Sequence, residues 1–156
     1  MKYAENTSVP VGRSKAEVEK TLRRYGASAF AYGWDDTTGA EVIMFSANGR
    51  RIRYELRLPD RDDTAFTLTP TGRERSPKLA EEAWEMACRQ AWRALALVIK
   101  AKFAAIEAGV TSFEDEFLAG TVLPSGKTVG AWVAPAIVEA YSTGVMPPML
   151  ALGTSS

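Results

Sequence analysis

The chain has 156 residues, of which 46% are apolar, and its 19 basic and 19 acidic side chains cancel. This composition predicts a compact globular protein, and it excludes a disordered chain and a global electric field that would attract nucleic acid or anionic lipid. The chain has no histidine and a single cysteine. These counts exclude Ser-His and Cys-His nucleophile pairs, metal sites that need imidazole, and an internal disulfide.

The N-terminal residues predict an arm followed by a short helix. Residues 1–12 contain no apolar segment of the kind found in signal peptides, and no window of the chain approaches the roughly 20 apolar residues of a membrane span. We therefore expect an intracellular protein. Residues 9–12 are expected to be extended, as an edge strand or a lead-in rather than a central strand, because Pro10 cannot donate to a central ladder. Ser14 and Glu17 have the capping-box spacing and predict a helix that ends at Gly26.

Three strands are predicted after this helix. Residues 29–34 alternate small and aromatic side chains, and residues 40–47 are almost continuously apolar, as is typical of a central strand. Asn48-Gly49 predicts a two-residue type I′ turn into the third strand. In the third strand a period of two places Ile52, Tyr54, Leu56 and Leu58 inside and Arg51, Arg53, Glu55 and Arg57 on one exposed face.

Residues 76–109 predict one long helix. Ser76 is a suitable N-cap, Pro77 suits the first helical position, and Gly109 can end the helix in the left-handed conformation. Most other positions are apolar, so we expect this helix to be buried on most sides. Its narrow polar strip carries Arg89, Arg93 and Lys100, and its alanine flank is expected to meet either the C-terminal segment or a second subunit. Cys88 is expected to be a small core residue.

The connection at residues 59–76 and the segment after Gly109 differ from the rest of the chain. The connection is predicted to be a long loop with at most a short strand at 66–69, and loops of this length are usually functional or mobile. Residues 1–109 carry eighteen basic and fifteen acidic side chains, whereas residues 110–156 carry one and four. In this second segment we expect a short helix at 113–118, a small hairpin across 121–129, a last helix at 135–141 and an apolar tail at 146–150.

These predictions define an α+β fold with a three-stranded antiparallel sheet packed on one long helix. A short N-terminal helix precedes the sheet, and a C-terminal helix and hairpin extension follows the long helix. We expect residues 1–109 to form the core domain and residues 110–156 to pack on it.

The cations of this fold suggest a nucleic-acid partner. The element order resembles the topology of double-stranded-RNA-binding domains and of single-strand annealing proteins. If the cations of the third strand and of the long helix form one continuous surface, they can bind phosphates without sequence preference. The alternative is that charges on an edge strand prevent aggregation and that a polar helix strip is simply solvated. The residues of the predicted surface are Arg51, Arg53, Arg57, Arg89, Arg93 and Lys100.

An enzymatic alternative is a magnesium-dependent nuclease. Restriction-like nucleases also run helix, three strands, helix, with an acid on the second strand and Glu-x-Lys on the third. This chain offers Glu41 on the second strand and Glu55 on the third, with Asp35 and Asp36 in the adjacent loop, and carboxylates can hold Mg²⁺ and activate water. Arg57 stands where these nucleases have lysine, and arginine does not readily exchange a proton. We therefore place catalysis below binding and expect no cofactor.

Nearly the whole chain resembles a family of small uncharacterised proteins encoded in bacteriophage and prophage genomes. The likeness is strongest at residues 92–150, with IKAKFAAIEAGVTSFEDEFLAG, TVLPSGKTVG and MPPML. The resemblance implies a setting, the host cytoplasm, and no catalytic residues. It implies either an accessory of phage DNA metabolism or recombination, or an inhibitor that binds a host defence protein through the apolar tail and the acidic extension. We expect a homo-oligomer, a nucleic-acid or protein partner, and no membrane partner.

Overall fold

The computed structural model describes residues 2–147. The three strands form one antiparallel sheet in the order β1-β2-β3, so β2 is central as predicted. The α+β class, the three-stranded sheet, the long helix, the N-terminal helix and the C-terminal helix are all confirmed. The elements are α1 Lys2–Arg24, β1 Ala29–Asp35, β2 Ala40–Ala47, β3 Arg50–Arg57, α2 Thr64–Thr67, α3 Pro77–Glu107, α4 Phe113–Glu116 and α5 Val129–Thr143.

The turn between β2 and β3 fixes the register of the sheet. Asn48 has φ 51° and Gly49 has φ 68°, and two central residues with positive φ define the predicted type I′ turn. The turn pairs Ala47 with Arg50, and every later pair follows from it. The register places the side chains of Phe30, Tyr32, Trp34, Glu41, Ile43, Phe45, Ile52, Tyr54 and Leu56 on one face, which we call the inner face.

Helices α1 and α3 both cover the inner face of the sheet. Val18 and Leu22 of α1 are buried there, in the same core as Phe45 and Ile52 of the sheet. The opposite face, here called the outer face, carries Ala29, Ala31 and Gly33 of β1, Val42 and Met44 of β2, and Arg51, Arg53, Glu55 and Arg57 of β3. The buried residues of α3 are Trp84, Cys88, Trp92, Ala96, Ile99 and Phe103.

The long helix has the predicted ends but is less buried than expected. The Ser76 hydroxyl accepts from the Leu79 N–H at 3.3 Å, and Gly109 has φ 72°. Leu79, Met86 and Leu97 are exposed by 54%, 54% and 59%. The expectation of burial on most sides is therefore wrong. The buried residues of α3 lie along one side of the helix. No second layer of helices or strands within residues 12–147 buries the opposite side.

The N-terminal arm is a correction to the sequence analysis. Helix α1 begins at Lys2, so residues 9–12 are helical rather than extended. Pro10 costs a helix one backbone hydrogen bond and need not end it. Forming the first turn of a helix is the costly step, whereas each residue added to an existing helix gains a hydrogen bond. The helix therefore extends toward the N-terminus past the capping signal at Ser14.

Two further elements differ from their predicted bounds. Residues 64–67 form the single turn α2 rather than part of a strand, because the Asp63 carboxylate accepts from the Ala65 N–H at 2.8 Å and caps the turn. Helix α5 begins at Val129 rather than near 135, because the Thr128 hydroxyl accepts from the Ala131 N–H at 3.2 Å. The start of α4 and the antiparallel bridge of the small hairpin, Val122 to Thr128, agree with the prediction.

Residues 113–122 attach the C-terminal segment to the core. Phe113 and Phe117 are buried in the same core as α1 and α3. The Arg53 N–H donates to the Gly120 carbonyl at 2.8 Å, and the Val122 N–H donates to the Arg51 carbonyl at 2.8 Å. A Cβ at Gly120 would lie 3.1 Å from the Arg53 carbonyl oxygen, so glycine permits this close approach. Residues 148–150 of the predicted apolar tail lie outside the described residues.

Candidate functional site

The arginines of β3 form a row on the outer face, as their period predicted. Arg51 and Arg57 are exposed, and the side chain of Arg53 is 26% exposed. Arg53 lies opposite Met44 of β2, and its Nε is 3.8 Å from a carboxylate oxygen of Glu55. At about 3.3 Å per residue the row extends over roughly 20 Å.

The cations of α3 lie on a helix that packs on the inner face of the sheet, opposite the face that carries the β3 row. Arg89, Arg93 and Lys100 are exposed, as expected. The buried side of α3, with Trp84 and Trp92, packs on the inner face of the sheet, so the sheet separates the α3 cations from the β3 row. A continuous phosphate-binding surface would have to extend around an edge of the sheet to join the two sets of cations, and it stays a prediction. Periodicity assigns a residue to one side of its own strand or helix, and packing alone decides which elements share a surface.

The aromatic side chains of the sheet do not accompany the β3 arginines. Phe30, Tyr32 and Trp34 project from β1 to the inner face, and Tyr54 projects from β3 to the same face. Single-stranded nucleic acids are commonly held by cations next to exposed aromatic rings that stack on bases. The outer face of this sheet offers the cations without the rings.

The carboxylates of the nuclease alternative do not converge. Glu41 lies on the inner face, with a carboxylate oxygen 3.3 Å from Lys15 Nζ, whereas Glu55 lies on the outer face. Asp35 accepts from the Thr37 N–H at 2.8 Å, and this hydrogen bond lowers its pKa. Among the side chains that the structure describes, at residues 12–147, no group of three or more His, Cys, Asp or Glu is placed to hold a metal ion. Asp35 therefore shapes the β1–β2 loop, and Glu41 pairs with α1.

Lys15 and Glu41 belong to a half-buried cluster that fixes α1 to the sheet. Lys15 Nζ lies 4.9 Å from the centre of the Trp92 ring, and the Tyr32 hydroxyl donates to the Lys15 carbonyl at 2.6 Å. Burial raises the pKa of Tyr32 above its ordinary value. The Lys15 ammonium, the Glu41 carboxylate and the Tyr32 hydroxyl thus each contact another member of this set. The buried Nε1–H of Trp92 has no hydrogen-bond partner among the described residues, and the ring contacts the cluster through its face.

Cys88 is buried in the core, as predicted, with 1% of its surface exposed. Burial raises the pKa of its thiol from 9.0 to about 11, and burial likewise raises the pKa of Tyr54 to about 12. An unfolded chain loses the thiol proton near 9.0, whereas the folded protein keeps it, so the unfolded state binds fewer protons between these two pH values.

The free energy of unfolding is therefore expected to fall as the pH rises from 9.0 toward about 11, and to carry its full thiol contribution below this range. Urea denaturation across this range measures the effect. The Cys88→Ala variant should show a weaker dependence, and an equal dependence in both proteins would contradict this assignment.

Helix α5 presents an apolar surface that the sequence analysis missed. None of its residues is buried, although Thr128 caps its start and Gly144, with φ 71°, ends it. Its single charged residue is Glu139. The exposed stripe at the i, i+3, i+4 and i+7 positions consists of Ala134, Ile137, Val138 and Tyr141, and we call it the α5 stripe.

The α5 stripe and the residues that follow it are exposed to solvent. Tyr141 is 89% exposed and Val138 is 69% exposed. Val145 and Met146, just beyond the helix, are 66% and 74% exposed. A helix predicted to start near residue 135 leaves out Ala134, so the i, i+3, i+4, i+7 pattern from Ala134 to Tyr141 was not recognised. Thr128 is a suitable N-cap, and a helix started there contains the whole pattern.

Comparisons of the chain with protein-family models, with curated proteins and with solved structures gave no match. None of the helices within residues 2–147 is long and apolar enough to cross a membrane. The surfaces described above are therefore the basis for assigning a function.

Proposed function

We propose that this chain is a non-enzymatic protein-binding factor whose C-terminal helix docks into a groove of another protein. The α5 stripe carries this proposal. Apolar side chains at i, i+3, i+4 and i+7 are the anchors with which an amphipathic helix fills a hydrophobic groove. The helix is capped at both ends, so it is formed before it binds. Docking then costs less conformational entropy than the folding of a disordered segment on its partner.

The charges near α5 favour a protein over a membrane as the partner. Helices that lie in a membrane interface usually carry lysine and arginine on their polar face, and α5 has only Glu139. Within residues 110–147 the charged side chains are Lys127, Glu114, Asp115, Glu116 and Glu139. The partner surface that fits is therefore an apolar groove with basic residues at its rim.

The resemblance to phage-encoded proteins supplies the setting of the proposal. In that setting the chain acts in the host cytoplasm and the groove belongs to a host defence protein, which the docked helix inhibits. The alternative, an accessory protein that binds phage nucleic acid, keeps one supporting observation. Arg51, Arg53 and Arg57 form a row on a sheet face that no helix within residues 12–147 covers.

Substitution of the α5 stripe tests the proposal. The Val138→Glu and Tyr141→Glu variants keep a good helix former at exposed positions, so the fold should be unchanged. Affinity for the partner isolated from host extract is expected to fall roughly 30-fold or more, the effect of losing a central interface residue. The measurement is capture followed by titration of the captured protein.

Leu97→Glu provides the matched control, because Leu97 is a similarly exposed apolar residue on α3. It should leave the affinity unchanged, and equal loss in all three variants would refute docking through α5. If salt-dependent DNA binding is found instead, and it is lost in a variant with glutamate at Arg51, Arg53 and Arg57, the nucleic-acid alternative is correct.

A further inference from the structure

Strand β1 has an unpaired edge. The two-residue turn makes Ala47 and Arg50 a hydrogen-bonded pair, so every second residue of β2 from Ala47 bonds to β3. The residues between them bond to β1, and their partners there are Ala29, Ala31 and Gly33. The backbone groups of these three residues therefore point to β2. The N–H and C=O groups of Phe30, Tyr32 and Trp34 consequently point away from the sheet. They make no hydrogen bond to any described residue outside the sheet.

This edge lacks the features that normally prevent strands from pairing. Residues 29–34 contain no proline and no charged side chain, and their outer face carries only Ala29, Ala31 and Gly33. The opposite edge of the sheet differs, because Gly120 and Val122 hydrogen-bond to β3 there. An open, flat strand edge is a template for another strand.

We propose that β1 pairs antiparallel with β1 of a second copy about a two-fold axis at Tyr32, which joins the two sheets into one of six strands. This register pairs residues 29–35 of one copy with 35–29 of the other, so the full strand is used. Opposed residues keep the same face, and the inner faces of both copies lie on the same side. Ala31 then lies opposite Gly33 of the second copy, and neither residue obstructs the contact.

The same register places an exposed tryptophan at a groove. Trp34 is 68% exposed, although it projects to the inner face. A groove of about 230 Å³ lies between α1 and the start of β1, lined in part by Leu22, Arg23 and Phe30. Trp34 of the second copy stands opposite Phe30 and therefore at this groove. Its indole can contact Leu22 and stack on the Arg23 guanidinium, and symmetry repeats the contact.

The association ends at two copies. Pairing through β1 uses the open edge of each sheet, and residues 120–122 already occupy the β3 edge. An isologous contact of this kind is closed, so it gives a dimer rather than a fibre. The α5 stripe takes no part in it, and the dimer is independent of the function proposed above.

Two cysteine variants, mixed, test the register directly. In the proposed pairing Ala31 and Gly33 of the second copy are a non-hydrogen-bonded pair, with Cα atoms about 4.5 Å apart, which suits a disulfide. A mixture of Ala31→Cys and Gly33→Cys proteins should give a covalent dimer on mild oxidation. Each variant alone should not, because its cysteines lie roughly 7–8 Å apart across the axis. The absence of the dimer in the mixture, or equal yield in the single samples, would overturn the register.

Native mass spectrometry of the unmodified full chain tests the dimer itself. The expected result is a dimer that the Trp34→Glu variant weakens at least about tenfold. Trp132→Glu on α5 is the matched control and should leave the dimer intact, as should Val138→Glu. A protein that is monomeric at every concentration would overturn the dimer, and loss of partner capture by Val138→Glu would still support the proposed function.

Discussion

Replacement of Trp84 by alanine is expected to lower the free energy of unfolding by about 3–5 kcal/mol. Trp84 is fully buried between α3 and the sheet. Its Nε1–H donates to the Pro59 carbonyl at 2.8 Å, and the Arg61 guanidinium lies 4.2 Å from the centre of its ring. The substitution therefore leaves a cavity and also removes the contacts that hold the start of the 59–76 connection on α3.

Chemical denaturation measures this loss, and two variants show where it arises. Trp84→Phe fills most of the cavity but cannot donate to Pro59, so about 1 kcal/mol of the loss should remain. Met86→Ala, two residues along the same helix and 54% exposed, should change stability by less than about 0.5 kcal/mol. If Trp84→Ala and Met86→Ala were equally stable, the described packing of α3 would be incorrect.

Replacement of Phe117 by alanine is expected to cost a similar amount, about 3–5 kcal/mol, and to release the C-terminal segment. The Phe117 ring centre lies 4.8 Å from that of Phe113, 5.0 Å from that of Phe103 and 5.6 Å from that of Phe45. This aromatic cluster holds Gly120 against β3. Without Phe117 the Arg53 N–H should lose its partner for a larger fraction of the time.

Hydrogen exchange at the Arg53 amide measures this release, together with the free energy of unfolding. The Phe117→Ala protein should exchange Arg53 faster and should also self-associate through the newly opened β3 edge. Leu118→Ala is the control, because Leu118 is 55% exposed. Unchanged exchange at Arg53 in Phe117→Ala would show that the segment is held by other contacts.

The sequence was sufficient for the parts of the fold that short-range chemistry determines. Asn48-Gly49 defined the turn, the alternation in β3 assigned its two faces, and Ser76 with Gly109 defined the ends of α3. In each case the signal lies within a few residues of the structure it specifies. The same reasoning failed at Pro10 and at Thr128, where continued helix hydrogen bonding and an unrecognised cap moved the helix boundaries.

The candidate site was harder to predict because it depends on which faces meet. Arg53 was assigned to the correct face of its strand and Arg93 to an exposed side of its helix, but that helix packs on the other face of the sheet. Glu41 was considered a metal ligand, whereas it pairs with Lys15 of α1, a residue that lies 26 positions earlier in the chain. Such pairings are set by tertiary packing, and no local pattern encodes them.

Photo-crosslinking from the α5 stripe tests docking through this helix most directly. A photoreactive phenylalanine in place of Tyr141, in protein exposed to host extract, should give one dominant adduct with a single host protein. The same group in place of Leu97 should not give that adduct. The absence of an adduct from position 141, or the same adduct from both positions, would contradict α5 as the docking helix.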